Sequence, residues 1–174
     1  AGDGTLRDFW QDEKQVRGAW RSVDLASYRT GQPAWTTLLD VDALAAAERA
    51  NWVWKGAECL QPAEHLCLVE LSDGGKDAVE VREFDTRTRA FVSGGFRLPT
   101  GKHRYAWLDA DTLIVVTNWT AADVTTSGYP FIAKILKRGQ PLSAAREVFR
   151  GQATDGGYGV DPAVFRDPDG RVQA

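Results

Sequence analysis

Apolar and polar positions alternate along most of this chain in short runs, the two-residue period of half-buried strands. Runs rich in Val, Ile, Phe, Trp and Thr, punctuated by Gly, Pro, Asp and Asn, predict strands over 6–10, 16–21, 26–29, 35–40 and 52–55. The same pattern continues over 66–71, 78–85, 91–96, 105–108, 112–117, 131–137, 146–150 and 163–166. Helical spacing is confined to the Ala-rich run 43–50, preceded by Asp42, whose carboxylate can accept from the first free helical N–H groups. About two turns of helix are too short to stand alone in water, so this run is expected as a packed connector between the strands on either side. The class is all-β.

The strands recur on a plan. ASYR-TGQPA-WTTLLD, AVEVREFD-TRTRA-FVSGGF and FIAKILKR-GQPLSA-AREVFRG each read as two β-rich segments around a polar turn. Those turns begin at Thr30, Thr86 and Gly139, roughly 55 residues apart, and another strand pair precedes each. Four antiparallel strands per unit at that period predict β-propeller blades over about 5–45, 51–99 and 104–151, with the start of a next one at 160–174. The polar insertion 120–128 accounts for part of the excess over a typical blade. Three to four blades do not close a ring, the chain contains no Met, and its last segment stops inside a hairpin pattern. The expectation is a partial propeller, part of a longer protein.

Charge and composition remove some classes. A net charge of -3 gives no basic footprint for nucleic acid. No apolar run approaches the roughly 20 residues that span a bilayer, and no signal peptide is legible, so cytoplasmic placement is expected over periplasmic. Cys59 and Cys67 flank the Gln61-Pro62 turn on neighbouring strand positions of one hairpin. Two half-buried free thiols are the favoured expectation and a disulfide the alternative. A zinc site is disfavoured, since two Cys without nearby His do not fill its shell.

Catalytic motifs do not assemble. Val92-Ser93-Gly94-Gly95 lacks the upstream Gly of a nucleophile elbow and sits among strands. His65 and His103 fall in polar turns with no nucleophile beside them, and are expected to be solvated or structural. Gly156-Gly157-Tyr158-Gly159 has neither the Lys nor the following helix of a phosphate loop and reads as a linker. Asp167-Pro168-Asp169-Gly170 lacks the downstream ligands of a calcium loop and reads as a hairpin turn; Asp109-Ala110-Asp111 is a turn likewise. Trp10, Trp20, Trp35, Trp52, Trp54, Trp107 and Trp119 are expected to pack between blades rather than to form a ligand platform. No catalytic, cofactor-binding or metal residue is assigned, and no cofactor is expected.

The series DFWQD (8–12), RGAWR (17–21), LLDVDALA (38–45), NWVWKGAECL (51–60), DAVEVREFD (77–85), FVSGGFRLP (91–99), SGYPFIAKILKRGQPL (127–142) and VFRGQATD (148–155) is distinctive. It resembles the N-terminal β-propeller of bacterial prolyl oligopeptidase family serine peptidases, in order and spacing, over almost the whole chain. The resemblance implies a seven-bladed propeller over an α/β-hydrolase domain that supplies Ser, Asp and His and cleaves after proline. In it the propeller admits short peptides and keeps folded proteins out. Its implied partners are therefore that C-terminal hydrolase domain and short peptide substrates. None of the triad maps onto a residue here, so the chain alone is expected to be noncatalytic. The alternatives are a stand-alone propeller module binding a peptide or protein, and a sibling hydrolase acting as an aminopeptidase or acyl-peptide hydrolase. Blade faces without neighbours would expose apolar surface, so self-association of the truncated chain is also expected.

Overall fold

The computed structural model describes residues 4–155, 157, 159–167 and 171–173. The chain divides into two compact units, residues 1–97 and 98–174, taken here in turn.

The first unit opens with β1 (Thr5–Trp10) and β2 (Ala19–Asp24), paired antiparallel from Thr5↔Asp24 to Trp10↔Ala19. β2 starts later than the alternation predicts, because residues 12–18 are folded by side chains. The Asp12 carboxylate accepts the Lys14 and Gln15 N–H groups, each at 2.8 Å. Gly18 then turns the chain at φ +96°, packed so closely on Phe9 that a Cβ would overlap its ring.

The expected strand 26–29 is a helix instead, α1 (Leu25–Arg29). Asp24 caps it by accepting the Ala26 and Ser27 N–H groups at 2.7 and 3.3 Å, and Thr30 Oγ1 closes it on the Ser27 carbonyl at 2.7 Å. Local capping by short polar side chains overrides a weak two-residue alternation. The first of the three expected hairpins is therefore absent. β3 (Thr36–Asp40) returns directly onto β2, and this sheet is three-stranded, in the order β1-β2-β3.

α2 (Val41–Glu48) is the predicted connector, begun two residues early. Its cap is Asp40, not Asp42: Asp40 Oδ1 accepts the Ala43 N–H at 2.9 Å. Arg49 ends the helix in the left-handed region at φ 53°. Val41 and Ala45 face the core.

The second sheet runs β4 (Trp52–Cys59), β5 (Leu66–Asp73), β6 (Val79–Asp85) and β7 (Ala90–Phe91) in that order, and β8 (Arg97–Gly101) begins at the last residue of this unit. Of the expected strand 91–96 only Phe91 is in a strand, β7, and residues 92–96 form a turn. That turn is held by Glu83, whose N–H bonds the Phe96 carbonyl and whose Oε2 accepts the Phe96 N–H at 2.8 Å.

The two sheets of this unit share one core of Trp20, Leu38, Leu39, Val41, Ala45, Trp52, Val69, Leu71 and Phe84. Trp54 stacks on Phe9 with centroids 5.0 Å apart, and Trp20 touches both Trp54 and Phe84 at 5.3 and 5.6 Å. Burying each such side chain is worth about 1.5–3 kcal/mol, so these aromatics set how the sheets face each other.

The second unit is built on an antiparallel four-stranded sheet. β9 (Arg104–Asp109), β10 (Thr112–Val116), β11 (Ile132–Lys137) and β12 (Arg146–Arg150) are adjacent in chain order. β10 is buried at four of its five positions and β12 is exposed throughout. The polar insertion lies between β10 and β11, tied by a Val124↔Pro130 bridge and by the Trp119 indole N–H on the Ile132 carbonyl at 2.8 Å. β13 (Phe165–Arg166) pairs with β14 (Val172–Gln173), as a hairpin there predicts. The turn residues Pro168, Asp169 and Gly170, and Gly156 and Tyr158 of the glycine-rich linker, lie outside the described residues.

Candidate functional site

The histidines, Ser93 and the acidic turn singled out in the sequence lie at strand ends and turns. His103 stands between two partners, Nε2 at 2.5 Å from the Pro99 carbonyl and Nδ1 at 2.8 Å from Thr117 Oγ1. A carbonyl only accepts, so Nε2 donates to the Pro99 carbonyl. The His65 carbonyl receives the Thr86 N–H at 2.9 Å, at the turn where β6 ends. Ser93 sits in the 92–95 turn, whose function is visible in Gly95: a Cβ there would come within 2.8 Å of Glu83 Oε2. The Ser-Gly-Gly string thus makes room for a buried carboxylate. Asp109 Oδ1 accepts the Asp111 N–H at 2.8 Å, and Asp111 pairs with Arg138 at 2.9 Å, so this triplet is a turn as expected. Among the described residues no cluster of His, Cys, Asp and Glu is arranged to hold a metal ion.

The cysteines overturn the favoured expectation of free thiols. Cys59 and Cys67 are directly opposed across β4 and β5 and form a disulfide. The next residue pair inward carries the Leu60 N–H on the Leu66 carbonyl at 2.8 Å, so Cys59 and Cys67 occupy the closely spaced, non-hydrogen-bonded position where side chains approach best. An eight-residue separation around one turn carried that signal; which residues oppose each other depends on register.

Three cation sites in the first unit were not legible in the sequence. Arg21 is sandwiched between the Trp10 and Trp35 rings at 4.4 and 4.3 Å, with Tyr28 edge-on to Trp35. Asp8 holds it bidentately at 2.7 and 2.9 Å, and that hydrogen bonding raises the guanidinium pKa further. Trp10 and Trp35 are therefore not sheet-packing tryptophans. Arg82 bonds Glu48 through both terminal nitrogens at 2.6 and 3.0 Å and Glu80 through Nε at 2.7 Å, over the Trp52 and Phe91 rings. The Arg82 bond, with the Trp52 indole N–H at 2.8 Å, holds the Glu48 carboxyl below its usual range. Burial pulls the Arg82 pKa down, but the two carboxylates outweigh it and the net shift is upward. Arg7 reaches from β1 to Glu64 in the β4–β5 turn at 3.0 Å.

Each unit also carries an open cleft. In the first, about 310 Å³ is lined by Gln11, Val16, Arg17, Asp42, Trp52 and Val53. Asp42 binds the Arg17 and Gly18 N–H groups at 3.0–3.2 Å, and the Arg17 side chain is fixed on the Trp52 carbonyl at 2.8 Å. In the second, an apolar groove of about 590 Å³ runs past Ile114, Ala133, Ile135, Val148, Phe149 and Pro162. Neither lining includes a Ser, Cys or His side chain.

Comparison with known proteins places this architecture. Residues 6–160 match the family described as "Prolyl oligopeptidase, N-terminal beta-propeller domain". An uncharacterized peptidase of Sinorhizobium fredii is 50% identical over 171 residues, covering 98% of this chain and 23% of that protein. One from Rickettsia prowazekii is 32% identical over 155 residues, 84% of this chain and 21% of its own length. Among solved structures, a post-proline cleaving enzyme from Rickettsia typhi is similar with a TM-score of 0.80 and 29% identity, over 86% of this chain and 23% of that one. A structure from a study of two prolyl endopeptidases shares the fold, at a TM-score of 0.59 and 16% identity. The chain spans less than a quarter of the length of these relatives.

Proposed function

Because the chain belongs to the prolyl oligopeptidase N-terminal β-propeller family, we propose that it is a noncatalytic portion of a propeller that gates short peptides into a serine-hydrolase domain of the same polypeptide. The observation that carries this reading is the similarity, over 86% of the chain, to a post-proline cleaving enzyme of which the match covers only 23%. In this reading the chain contributes a wall, and the Ser, Asp and His of catalysis belong to another part of the protein. The engagement of His103, Ser93 and the cysteines in turns and cross-links is in keeping with that division of labour. We assign blades to 5–45, 51–99 and 104–151, with the next beginning near 160.

The test compares the 174-residue chain with the full-length protein on a proline-containing chromogenic peptide. The full-length protein is expected to cleave it and to react with a fluorophosphonate probe, and the chain alone to do neither. Probe labelling of the isolated chain, or an inactive full-length protein, would overturn the proposal.

A further inference from the structure

The disulfide, the turn beside it and the ion pair beyond it form one mechanical unit. β5 is paired on both sides, by β4 and by β6, and Cys67 is fully buried in the core with Trp20 and Phe84. Cys59 is the last residue of β4, the edge strand of its sheet, and is half-buried. Past it the chain folds over itself: the Leu60 N–H bonds the Leu66 carbonyl and the Glu64 N–H bonds the Leu60 carbonyl, both at 2.8 Å. That turn presents the Glu64 side chain, 12% exposed, to the Arg7 side chain, 14% exposed, at 3.0 Å. Gln61 Nε2 steadies its other oxygen at 2.7 Å. Arg7 belongs to β1 of the neighbouring sheet, so Glu64 joins the two sheets at a point outside their aromatic core.

From this geometry we propose that Cys59–Cys67 is a redox-operated latch on the contact between the two sheets. A dithiol reductant opens it. Its thiolate attacks the Cys59 sulfur, the accessible side, giving a mixed disulfide and expelling the Cys67 thiolate, which takes up a proton. The reductant's second thiol then releases Cys59 as a thiol and closes its own disulfide, so two electrons and two protons pass to the protein. The freed sulfurs separate to van der Waals contact. Cys67 is enclosed and its strand is clamped on both sides, so Cys59 and residues 60–65 move, and the Arg7–Glu64 contact slackens. The β4–β5 ladder from Trp52↔Asp73 to Glu58↔Leu68 does not depend on the bond, and opening is local. The latch is independent of whether the protein is a peptidase.

Hydrogen exchange on the intact protein, oxidised and after dithiothreitol, tests this. Reduction is expected to raise exchange of the amides in 60–66 and in β1 around Arg7 about tenfold, and to expose the Glu64–His65 bond to a glutamate-specific protease, with β5 and β6 unchanged. Tm should fall by about 5 °C. Cys59→Ala should show the open-state exchange without reductant. In Arg7→Met, whose stem still packs, reduction should loosen the turn without further loosening β1. Free thiols in the unreduced protein, unchanged β1 exchange after complete reduction, or global unfolding on reduction would each overturn the latch.

Discussion

Arg82 concentrates more of the first unit's electrostatics than any motif in the sequence suggested. Its side chain is 12% exposed, and it is held by Glu48 and Glu80, themselves 33% and 11% exposed. Removing it leaves Glu48 without its ion-pair partner and the well-buried Glu80 with only the exposed Arg97, at 2.6 Å, which costs more than an exposed pair returns. Arg82→Ala is expected to lower unfolding free energy by about 2–3 kcal/mol in urea titrations at neutral pH. The pH dependence has a definite sign. Glu48 is held below its ordinary pKa chiefly by the Arg82 hydrogen bond, so its contribution is present above the unfolded carboxylate pKa, near 4.3, and is lost as pH falls through the lower folded value. The stability gap between wild type and Glu48→Gln should be constant from about pH 7 to 5 and close below about pH 4; a gap that persists at pH 3 would mean that packing, not charge, is what Glu48 supplies. None of this was legible in the sequence, because Glu48 and Arg82 lie 34 positions apart and meet only when two elements fold together.

At the level of elements, what could be read was the period, and what misled was the local competition. β4, β5, β6 and β9 to β12 fall where runs of β-favouring residues bounded by turn residues place them. The segment 26–29 carries a weak alternation, yet Asp24, Ser27 and Thr30 satisfy its backbone as a single helical turn. Asp42 shows the same ambiguity in reverse. It stands where an N-cap is plausible, but Asp40 takes the cap and Asp42 instead gathers the Arg17 and Gly18 N–H groups from a different element. Asp24→Ala should cost about 1 kcal/mol, as a lost cap does, and should melt α1 in chemical-shift data while leaving β3 in register. Gly18→Ala should cost more, above about 2 kcal/mol, because it combines a positive φ with overlap on Phe9. Equal destabilisation by the two substitutions would show that the Phe9 ring moves aside at little cost.

If the chain is the gating wall proposed above, the whole-molecule question is whether it works by shape or by contact, and the inter-sheet aromatics offer a way to separate the two. Trp54 lies against both Phe9 and Trp20, so it couples the first sheet to the second without lining either cleft. If the wall excludes by shape, loosening this junction admits longer polypeptides and leaves the chemistry alone. Trp54→Ala in the full-length protein should therefore keep kcat/KM for a short proline peptide within about twofold. Cleavage of the same sequence embedded in a long unfolded chain should rise about tenfold, equivalent to about 1.4 kcal/mol less exclusion. If the wall instead binds substrate, the short peptide loses kcat/KM through a higher KM, and the ratio between long and short substrates stays fixed. A fall in kcat for both, with KM unchanged, would contradict either form of gating and would place the propeller among the groups that organise the catalytic residues.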